Sequence, residues 1–258
     1  MPSLSGICQL CGCFGKLTFE HIPPQRVFNS RPAVVHTLWG MGIGSKHSKL
    51  PPVEQHRRGM GRESLCEKCN GKTASYFGDA FADWTFQALE YAKKVNGDNR
   101  VALPFSIKPL NVIKQIATMA IAAAPLSDSP SLRELRRFIL SPFEQYLPGG
   151  FRIRAYLNPA RPQLHDDPML TPNRMSGPSA IMDIKAGKVS NIYCEVAFPP
   201  MGYVVFCDDP DKRLTDQIAS LAEITFFGRF RYGQRADVMV NLPVRNPFGP
   251  VPGNYLRA

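Results

Sequence analysis

Two Cys-x-x-Cys pairs, Cys8/Cys11 and Cys66/Cys69, constrain this chain more than any other feature of its sequence. Each pair fits a tight turn that presents two thiolates, and four thiolates complete the tetrahedral coordination of zinc. Such a site has no open position, so the sequence predicts a structural zinc ion that staples the fold. The alternative is a set of unpaired or redox-active cysteines. Cys13 is also close enough in the chain to replace Cys8 or Cys11 as a ligand.

The expected compartment follows from the N-terminus and from the apolar runs. Residues 1–4 have neither the basic start nor the apolar run of a signal peptide. No stretch of the sequence approaches the ~18 uninterrupted apolar residues of a membrane span. We therefore expect a cytoplasmic protein that makes no membrane contact. In that reducing compartment, closely spaced cysteines bind metal rather than form disulfides.

Composition and charge narrow the class of partner. The 258 residues are 44% hydrophobic and 20% charged, which is typical of a globular protein with a substantial core. The formal net charge is +10 and the isoelectric point is about 9.4. This balance favours a polyanionic partner, although it carries no information about the fold.

An unusually long segment separates the two cysteine pairs. It contains 54 residues, more than the roughly 15–20 of a simple zinc ribbon. Residues 16–21 have the pattern of a strand, which Pro23 and Pro24 close. Residues 29–63 are rich in glycine, arginine and lysine, and they predict a long mobile loop that contacts nucleic-acid phosphates. An ordinary solvated loop is the alternative interpretation.

Hydrophobic periodicity predicts helices first and strands afterwards. Apolar residues recur at steps of three and four over 70–95, and the Asn-Gly-Asp-Asn sequence that follows predicts a domain boundary between 1–98 and 99–258. Two further helices are predicted at 110–121 and 132–139. After residue 150, apolar residues alternate with polar ones. This period of two predicts strands at 151–157, 180–184, 192–198, 203–206, 223–230 and 236–242.

Helices followed by antiparallel strands, without an internal repeat, indicate an α+β fold. The N-terminal part would be a zinc-stapled module, and the part after it would contain helices and an antiparallel β-sheet domain. The Pro-rich tail, 243–258, is expected to lie extended over the surface. We expect the C-terminal domain to provide targeting, substrate binding or oligomerisation, through a second copy of the chain or another protein.

One short motif lies between the two cysteine pairs, and a second contains the second pair and the residue after it. Residues 20–24 are Glu-His-Ile-Pro-Pro, and residues 66–70 are Cys-Glu-Lys-Cys-Asn. With the first cysteine pair, their order resembles the HNH (ββα-metal, treble-clef) endonucleases, in the subgroup with Cys-x-x-Cys, then Asp/Glu-His-Ile-x-Pro, then Cys-x-x-Cys-Asn. The resemblance covers about the first ninety residues and implies a ββα-metal module.

The resemblance implies roles for three residues. His21 would be the general base, and Glu20 and Asn70 would be ligands of a catalytic Mg²⁺ or Mn²⁺. These types suit the chemistry, because a neutral imidazole accepts a proton near neutral pH and oxygen ligands suit these cations. Taken singly, Glu20 could be a surface carboxylate, His21 a satisfied core histidine and Asn70 a helix N-cap.

The family resemblance implies hydrolysis of phosphodiester bonds, with double-stranded DNA as the expected substrate and 3′-hydroxyl and 5′-phosphate ends as products. A role in bacterial defence is a further expectation by association. Alternatives are a catalytically inactive, zinc-dependent nucleic-acid-binding protein and a protein-interaction module. The basic residues predicted to contact nucleic acid are Arg26, Arg57, Arg58, Arg62 and Lys72.

The chain departs from the family pattern at one position that bears on His21. Many members carry an asparagine shortly before the second cysteine pair, which helps to orient the histidine. Residues 59–64 of this chain are Gly-Met-Gly-Arg-Glu-Ser, without an asparagine. The sequence therefore predicts that His21 is held by a backbone carbonyl, by Glu63 or by Ser64.

Overall fold

The computed structural model describes residues 4–30, 33–36, 53–56, 58–95, 97–123, 129–158, 174–175, 179–183, 188–207 and 216–245. Within these ranges the chain is mixed α and β. All the strand pairings there are antiparallel, as predicted, apart from one isolated parallel bridge between Leu157 and Val244. The predicted surface tail beyond Arg245 and most of the basic loop lie outside the described residues. None of the described helices is both long and apolar enough to cross a membrane.

The strands are β1 (Ser5–Ile7), β2 (Phe14–His21), β3 (Ala33–His36), β4 (Val53–His56), β5 (Gly61–Cys66), β6 (Arg100–Ile107), β7 (Phe151–Leu157), β8 (Arg174–Met175), β9 (Ser179–Asp183), β10 (Lys188–Phe198), β11 (Met201–Cys207), β12 (Ala222–Glu223) and β13 (Ala236–Pro243). The helices are α1 (Glu67–Ala92), α2 (Pro109–Ala123), α3 (Pro130–Leu140) and the short α4 (Asp216–Ala219).

The N-terminal part is a three-stranded sheet in the order β1-β2-β5, followed directly by α1. The register of β2 and β5 places His21 opposite Gly61 and Glu20 opposite Arg62. A side chain at Gly61 would collide with this pairing, because an added Cβ would lie 2.1 Å from the carbonyl oxygen of Glu20. The close approach of the two strands therefore brings the segment before β5 alongside the end of β2.

Helix α1 begins earlier than its apolar pattern predicts. The pattern starts at Asn70, whereas the helix starts at Glu67, directly after an extended Cys66 at the N-cap. The apolar stripe is visible only where the helix meets the core, and its first turn instead faces the cysteine cluster. The predicted stripe itself is confirmed, since Phe77, Phe81, Trp84 and Ala88 are buried, as is usual for the apolar face of an amphipathic helix.

The prediction of a loop without strands over 29–63 is wrong in the described part of that segment. The strands β3 and β4 pair there, with Ala33 opposite His56, and β5 begins at Gly61. The strands β3 and β4 have only four residues each, too few to show a clear alternation of apolar and polar residues. The high glycine and basic content of the segment therefore indicated a loop.

Helix α2 is the centre of the molecule. Every one of its residues is buried, and these include four polar or charged side chains among the apolar ones: Asn111, Lys114, Gln115 and Thr118. It packs along α1, α3 and the 3₁₀ turn at Thr225–Arg229. One cluster of buried side chains runs from Cys8 to Leu242, so it includes residues on both sides of position 98. The division into two domains at that position stays a prediction.

The C-terminal strands form a sheet in the order β12-β7-β11-β10-β8, with β9 also paired to β10. The predicted strand at 223–230 is wrong beyond Glu223, since the 3₁₀ turn takes up Thr225–Arg229. Strand β6, which pairs with β13, was not predicted because it contains Pro104. Proline is compatible with this strand because a two-stranded sheet consists only of edge strands.

Candidate functional site

The cysteine cluster joins two turns that are far apart in the sequence. Cys8 and Cys11 lie in the turn between β1 and β2, which closes with a 2.9 Å hydrogen bond from the Gly12 N–H to the Cys8 carbonyl. Cys66 ends β5, and Cys69 lies in the first turn of α1. The cluster therefore ties the start of α1 to the β1–β2 turn.

The sulfur geometry fits a tetrahedral metal. The four Sγ atoms of Cys8, Cys11, Cys66 and Cys69 all lie within 4.8 Å of one another. The Sγ atoms of Cys11 and Cys66 are 3.9 Å apart, too far for a disulfide. Zinc–sulfur bonds of about 2.3 Å in a tetrahedron place sulfurs roughly 3.8 Å apart, close to the 3.9 Å between Cys11 and Cys66. The four cysteines can thus hold a metal such as zinc.

Electrostatics also favour a cation at this cluster. Burial acts to raise the pKa of the Cys8 thiol, but backbone N–H groups, including that of Cys66 at 3.3 Å from the sulfur, lower that pKa to about 7. Burial and the neighbouring cysteines raise the pKa of Cys69 well above its usual range. Crowded thiols resist joint ionisation unless a metal ion balances their charge.

Cys13 lies outside the cluster. Its side chain is exposed, and its Sγ lies 3.9 Å from the carbonyl oxygen of Cys11. The metal-type group found among the described residues consists of the other four cysteines. The structure thus resolves the first half of the site in favour of Cys8 and Cys11.

Glu20 lies at the end of β2 with its side chain turned inward. It is only 6% exposed, so the interpretation of Glu20 as a surface carboxylate is wrong. Burial raises the pKa of its carboxyl group to about 8. A cation beside this group would favour its ionised form and offset the cost of burial.

His21 is held by the backbone. Its Nε2 lies 2.8 Å from the carbonyl oxygen of Arg58, and its ring contacts Phe19 edge-on at 4.9 Å between centroids. A carbonyl can only accept, so Nε2 carries the proton and Nδ1 keeps the lone pair of the neutral ring. Burial lowers the pKa of His21; the Arg58 carbonyl acts to raise it, and the Arg58 charge lowers it further.

Asn70 fastens the first turn of α1 to β2. Its Nδ2 donates to the Thr18 hydroxyl at 3.1 Å and to the Phe19 carbonyl at 3.2 Å. The N-cap interpretation of Asn70 is wrong, because Cys66 occupies that position. Since the Phe19 carbonyl requires a donor, the amide nitrogen faces β2 and Oδ1 lies outside these two bonds. An amide oxygen of this kind is a ligand that Mg²⁺ accepts.

The basic residues predicted to contact nucleic acid differ in their exposure and in the bonds that their side chains form within the protein. Arg58 and Lys72 are exposed. Arg26 forms an ion pair with Asp79. The half-buried Arg62 donates from Nη1 to the Ala123 carbonyl at 2.8 Å, at the end of α2.

The hydrogen bond to Ala123 gives Arg62 a structural role. Contact with nucleic acid stays a prediction for Arg62 and for the other basic residues. Arg57 lies outside the described residues.

One buried residue beside the site is not predicted from the sequence. Asn29 is 2% exposed and hydrogen-bonds the backbone of Pro23, two residues after His21, and of Met60, two residues after Arg58. A single asparagine near a proline-rich turn is ordinarily a turn residue, so its sequence context contains no signal for burial.

Three comparisons, with models of protein families, with curated proteins and with solved structures, find no match to this chain.

Proposed function

We propose that the protein is a zinc-stapled, metal-dependent endonuclease of the HNH (ββα-metal) type that hydrolyses phosphodiester bonds of DNA. The observation that supports this most is the hydrogen bond between the Nε2–H of His21 and the Arg58 carbonyl. That bond leaves the Nδ1 lone pair available as a base. The residue directly before His21 on β2 is Glu20, whose carboxyl group is buried. The four cysteines tie the start of α1 to the β1–β2 turn, and Asn70 fastens it to β2 itself.

In the proposed reaction, His21 accepts a proton from the attacking water at Nδ1. Its lowered pKa keeps the ring neutral and able to accept a proton near neutral pH. Glu20 and Asn70 would hold a Mg²⁺ or Mn²⁺, which supplies charge stabilisation at the phosphate and the leaving oxygen. The exposed Lys72 and Arg58 would contact phosphates without selecting sequence. Residues 99–258 would provide targeting, substrate binding or self-association.

A plasmid-nicking assay tests the proposal. Wild-type protein loaded with zinc should convert supercoiled DNA to nicked or linear forms with Mg²⁺ or Mn²⁺. His21→Ala should reduce the rate by about 100-fold or more, because it removes the general base. His165→Ala is the control: His165 lies in the C-terminal part of the sequence, outside both motifs and outside the described residues, and the variant should remain active. A wild-type protein that is inert with both cations, and indistinguishable from His21→Ala, would refute nuclease activity.

One observation favours a second candidate, a non-catalytic zinc-dependent protein that binds nucleic acid. The buried Glu20 carboxyl, with its pKa of about 8, is protonated at neutral pH unless a cation joins it. If no divalent cation binds there, the exposed Arg58 and Lys72 can still contact the phosphates of duplex DNA. This candidate predicts binding that weakens steeply with salt, through counterion release, and no cleavage. Salt-insensitive or absent binding would favour a protein-interaction module.

A further inference from the structure

The side chain of Asn29 joins the two chain segments that flank the end of β2. Its Nδ2 donates to the Pro23 carbonyl at 2.5 Å and to the Met60 carbonyl at 2.7 Å. Its Oδ1 accepts from the Met60 N–H at 2.7 Å. Both ends of one buried amide are therefore satisfied by backbone groups, two of them on the same residue.

The segment that Asn29 holds is also closely packed against the Asn29 backbone. Gly59 adopts φ +90, a conformation that favours glycine. A Cβ added at Gly59 would lie 2.3 Å from the Asn29 carbonyl oxygen. The Met60 carbonyl accepts a second hydrogen bond, of 2.9 Å, from the Ile22 N–H. The path of residues 58–60 is thus determined by Asn29 and by the residues directly after His21.

The carbonyl that holds the His21 ring belongs to this same segment. Arg58 itself is exposed, so burial of its side chain is not what fixes the backbone there. The two residues that follow Arg58 are the ones that contact Asn29. Whatever orients Gly59 and Met60 therefore orients the acceptor at 2.8 Å from Nε2 of His21.

We propose that Asn29 is a positioning residue for His21: its three hydrogen bonds hold residues 58–60 so that the Arg58 carbonyl keeps the Nε2–H tautomer and ring orientation of His21. The catalytic meaning of this role rests on the proposed nuclease function, but the coupling between Asn29 and the ring does not.

The residue type matches this task. Two donations and one acceptance require a side-chain amide, because a carboxylate has no donor and a hydroxyl has a single proton. Asn29 thus supplies, from the segment after β2, a restraint on His21 that residues 59–64 do not supply with an asparagine of their own.

The test compares Asn29→Ala with a matched variant, Asn111→Ala. Asn111 is also buried, at 3% exposed, and also bridges backbone groups, donating to the Tyr76 carbonyl at 2.8 Å and accepting from the Gly233 N–H at 3.0 Å. Both variants lose a buried amide, but only Asn29 contacts the segment that holds His21. The readout is the ¹⁵N–¹H correlation spectrum of the histidine rings, with the His21 signals assigned by their loss in His21→Ala.

We expect Asn29→Ala to shift the His21 ring nitrogens toward a mixture of tautomers and to speed exchange of the Nε2 proton. Asn111→Ala should leave those signals unchanged. In the cleavage assay, Asn29→Ala should lower kcat by up to about 100-fold with little change in KM, as expected for a misplaced base. A folded Asn29→Ala protein whose His21 signals match those of wild type would overturn the inference.

A measurement on the wild-type protein keeps the inference testable even if Asn29→Ala does not fold. The His21 proton should reside on Nε2, and the side-chain amide protons of Asn29 should exchange slowly. A proton on Nδ1, or rapid exchange at Asn29, would overturn the inference. If these signals appear as expected while the wild-type protein fails to cleave DNA, the positioning role is supported and the nuclease proposal alone fails.

Discussion

At the scale of single residues, Glu20 is where the fold and the proposed chemistry make opposing demands. Burial raises the pKa of its carboxyl group to about 8, which favours the neutral form, whereas a cation ligand must be ionised. The proposed divalent cation reconciles the two, because it stabilises the carboxylate where water cannot. Stability should therefore depend on pH through this group.

For Glu20 the folded-state pKa lies above the unfolded value, so the folded state binds the extra proton between these two values. Without added Mg²⁺ or Mn²⁺, the free energy of unfolding should fall as pH rises from about 5 to about 8, by up to about 1.4 kcal/mol per pH unit from this group. Glu20→Gln should lack this component. Urea unfolding of both zinc-loaded proteins across this range gives the difference; parallel curves would contradict the prediction.

Arg62 and Lys72 were predicted to do the same task, but their surroundings differ. Arg62→Ala should lower the free energy of unfolding by about 1–3 kcal/mol, because the Ala123 carbonyl loses a charged donor. Lys72→Ala should leave stability nearly unchanged, since the side chain is exposed. In duplex-DNA binding, Lys72→Ala should reduce the slope of affinity against salt. Equal stability of the two variants would contradict the assignment for Arg62.

At the scale of elements, the first turn of α1 carries two fasteners. Cys69 belongs to the cysteine cluster, and Asn70 donates to Thr18 and Phe19 on β2. A helix end has backbone groups without intrahelical partners and frays unless something holds it. Here the cluster and the amide together hold that turn against the strand that carries Glu20 and His21.

Loss of one cluster ligand should therefore release the start of α1. Cys69→Ser should reduce bound zinc well below one ion per chain and lower stability by several kcal/mol, because structural zinc binding contributes directly to folding. Cys13→Ser is the matched control, since its side chain is exposed and outside the cluster. Zinc content by atomic emission and thermal unfolding by circular dichroism measure both effects. A similar zinc loss in both variants would contradict the ligand assignment.

At the scale of the whole molecule, one buried cluster of side chains includes the cysteine turn, α1, α2 and the C-terminal strands. A buried hydrogen bond within it runs from Nε1 of Trp84 on α1 to the hydroxyl of Tyr203 on β11, at 2.7 Å. The two residues are 119 positions apart. Because Trp84 and Tyr203 are almost fully buried, water cannot replace this bond.

Tyr203→Phe should lower the free energy of unfolding by about 1–3 kcal/mol, because it leaves the Trp84 N–H buried without its acceptor. The effect should appear in a single transition that far-UV dichroism and tryptophan fluorescence report together. Tyr146→Phe is the control, because the Tyr146 side chain is 66% exposed and should tolerate the loss of its hydroxyl. Two separate transitions, with only one affected, would indicate that the parts on either side of residue 98 unfold independently.

The sequence predicted those features that depend on residues close together in the chain. The spacing of two cysteines with two residues between them predicts a tight turn whatever surrounds it, and the cluster of Cys8, Cys11, Cys66 and Cys69 agrees with that. The helical stripe after Cys69 and the alternation at Phe151–Leu157 are periodic patterns of the same local kind.

The tertiary structure alone decided how the candidate site is held. The Arg58 carbonyl reaches His21 across 37 residues, and Asn29 reaches Met60 across 31. Such hydrogen bonds depend on the register of β2 against β5, which no local pattern of the sequence encodes. Burial of Glu20 likewise follows from packing rather than from its neighbours in sequence. The two cysteine pairs can thus be recognised from local spacing in the sequence. The contacts around His21 form only when segments distant in the sequence come together in the fold.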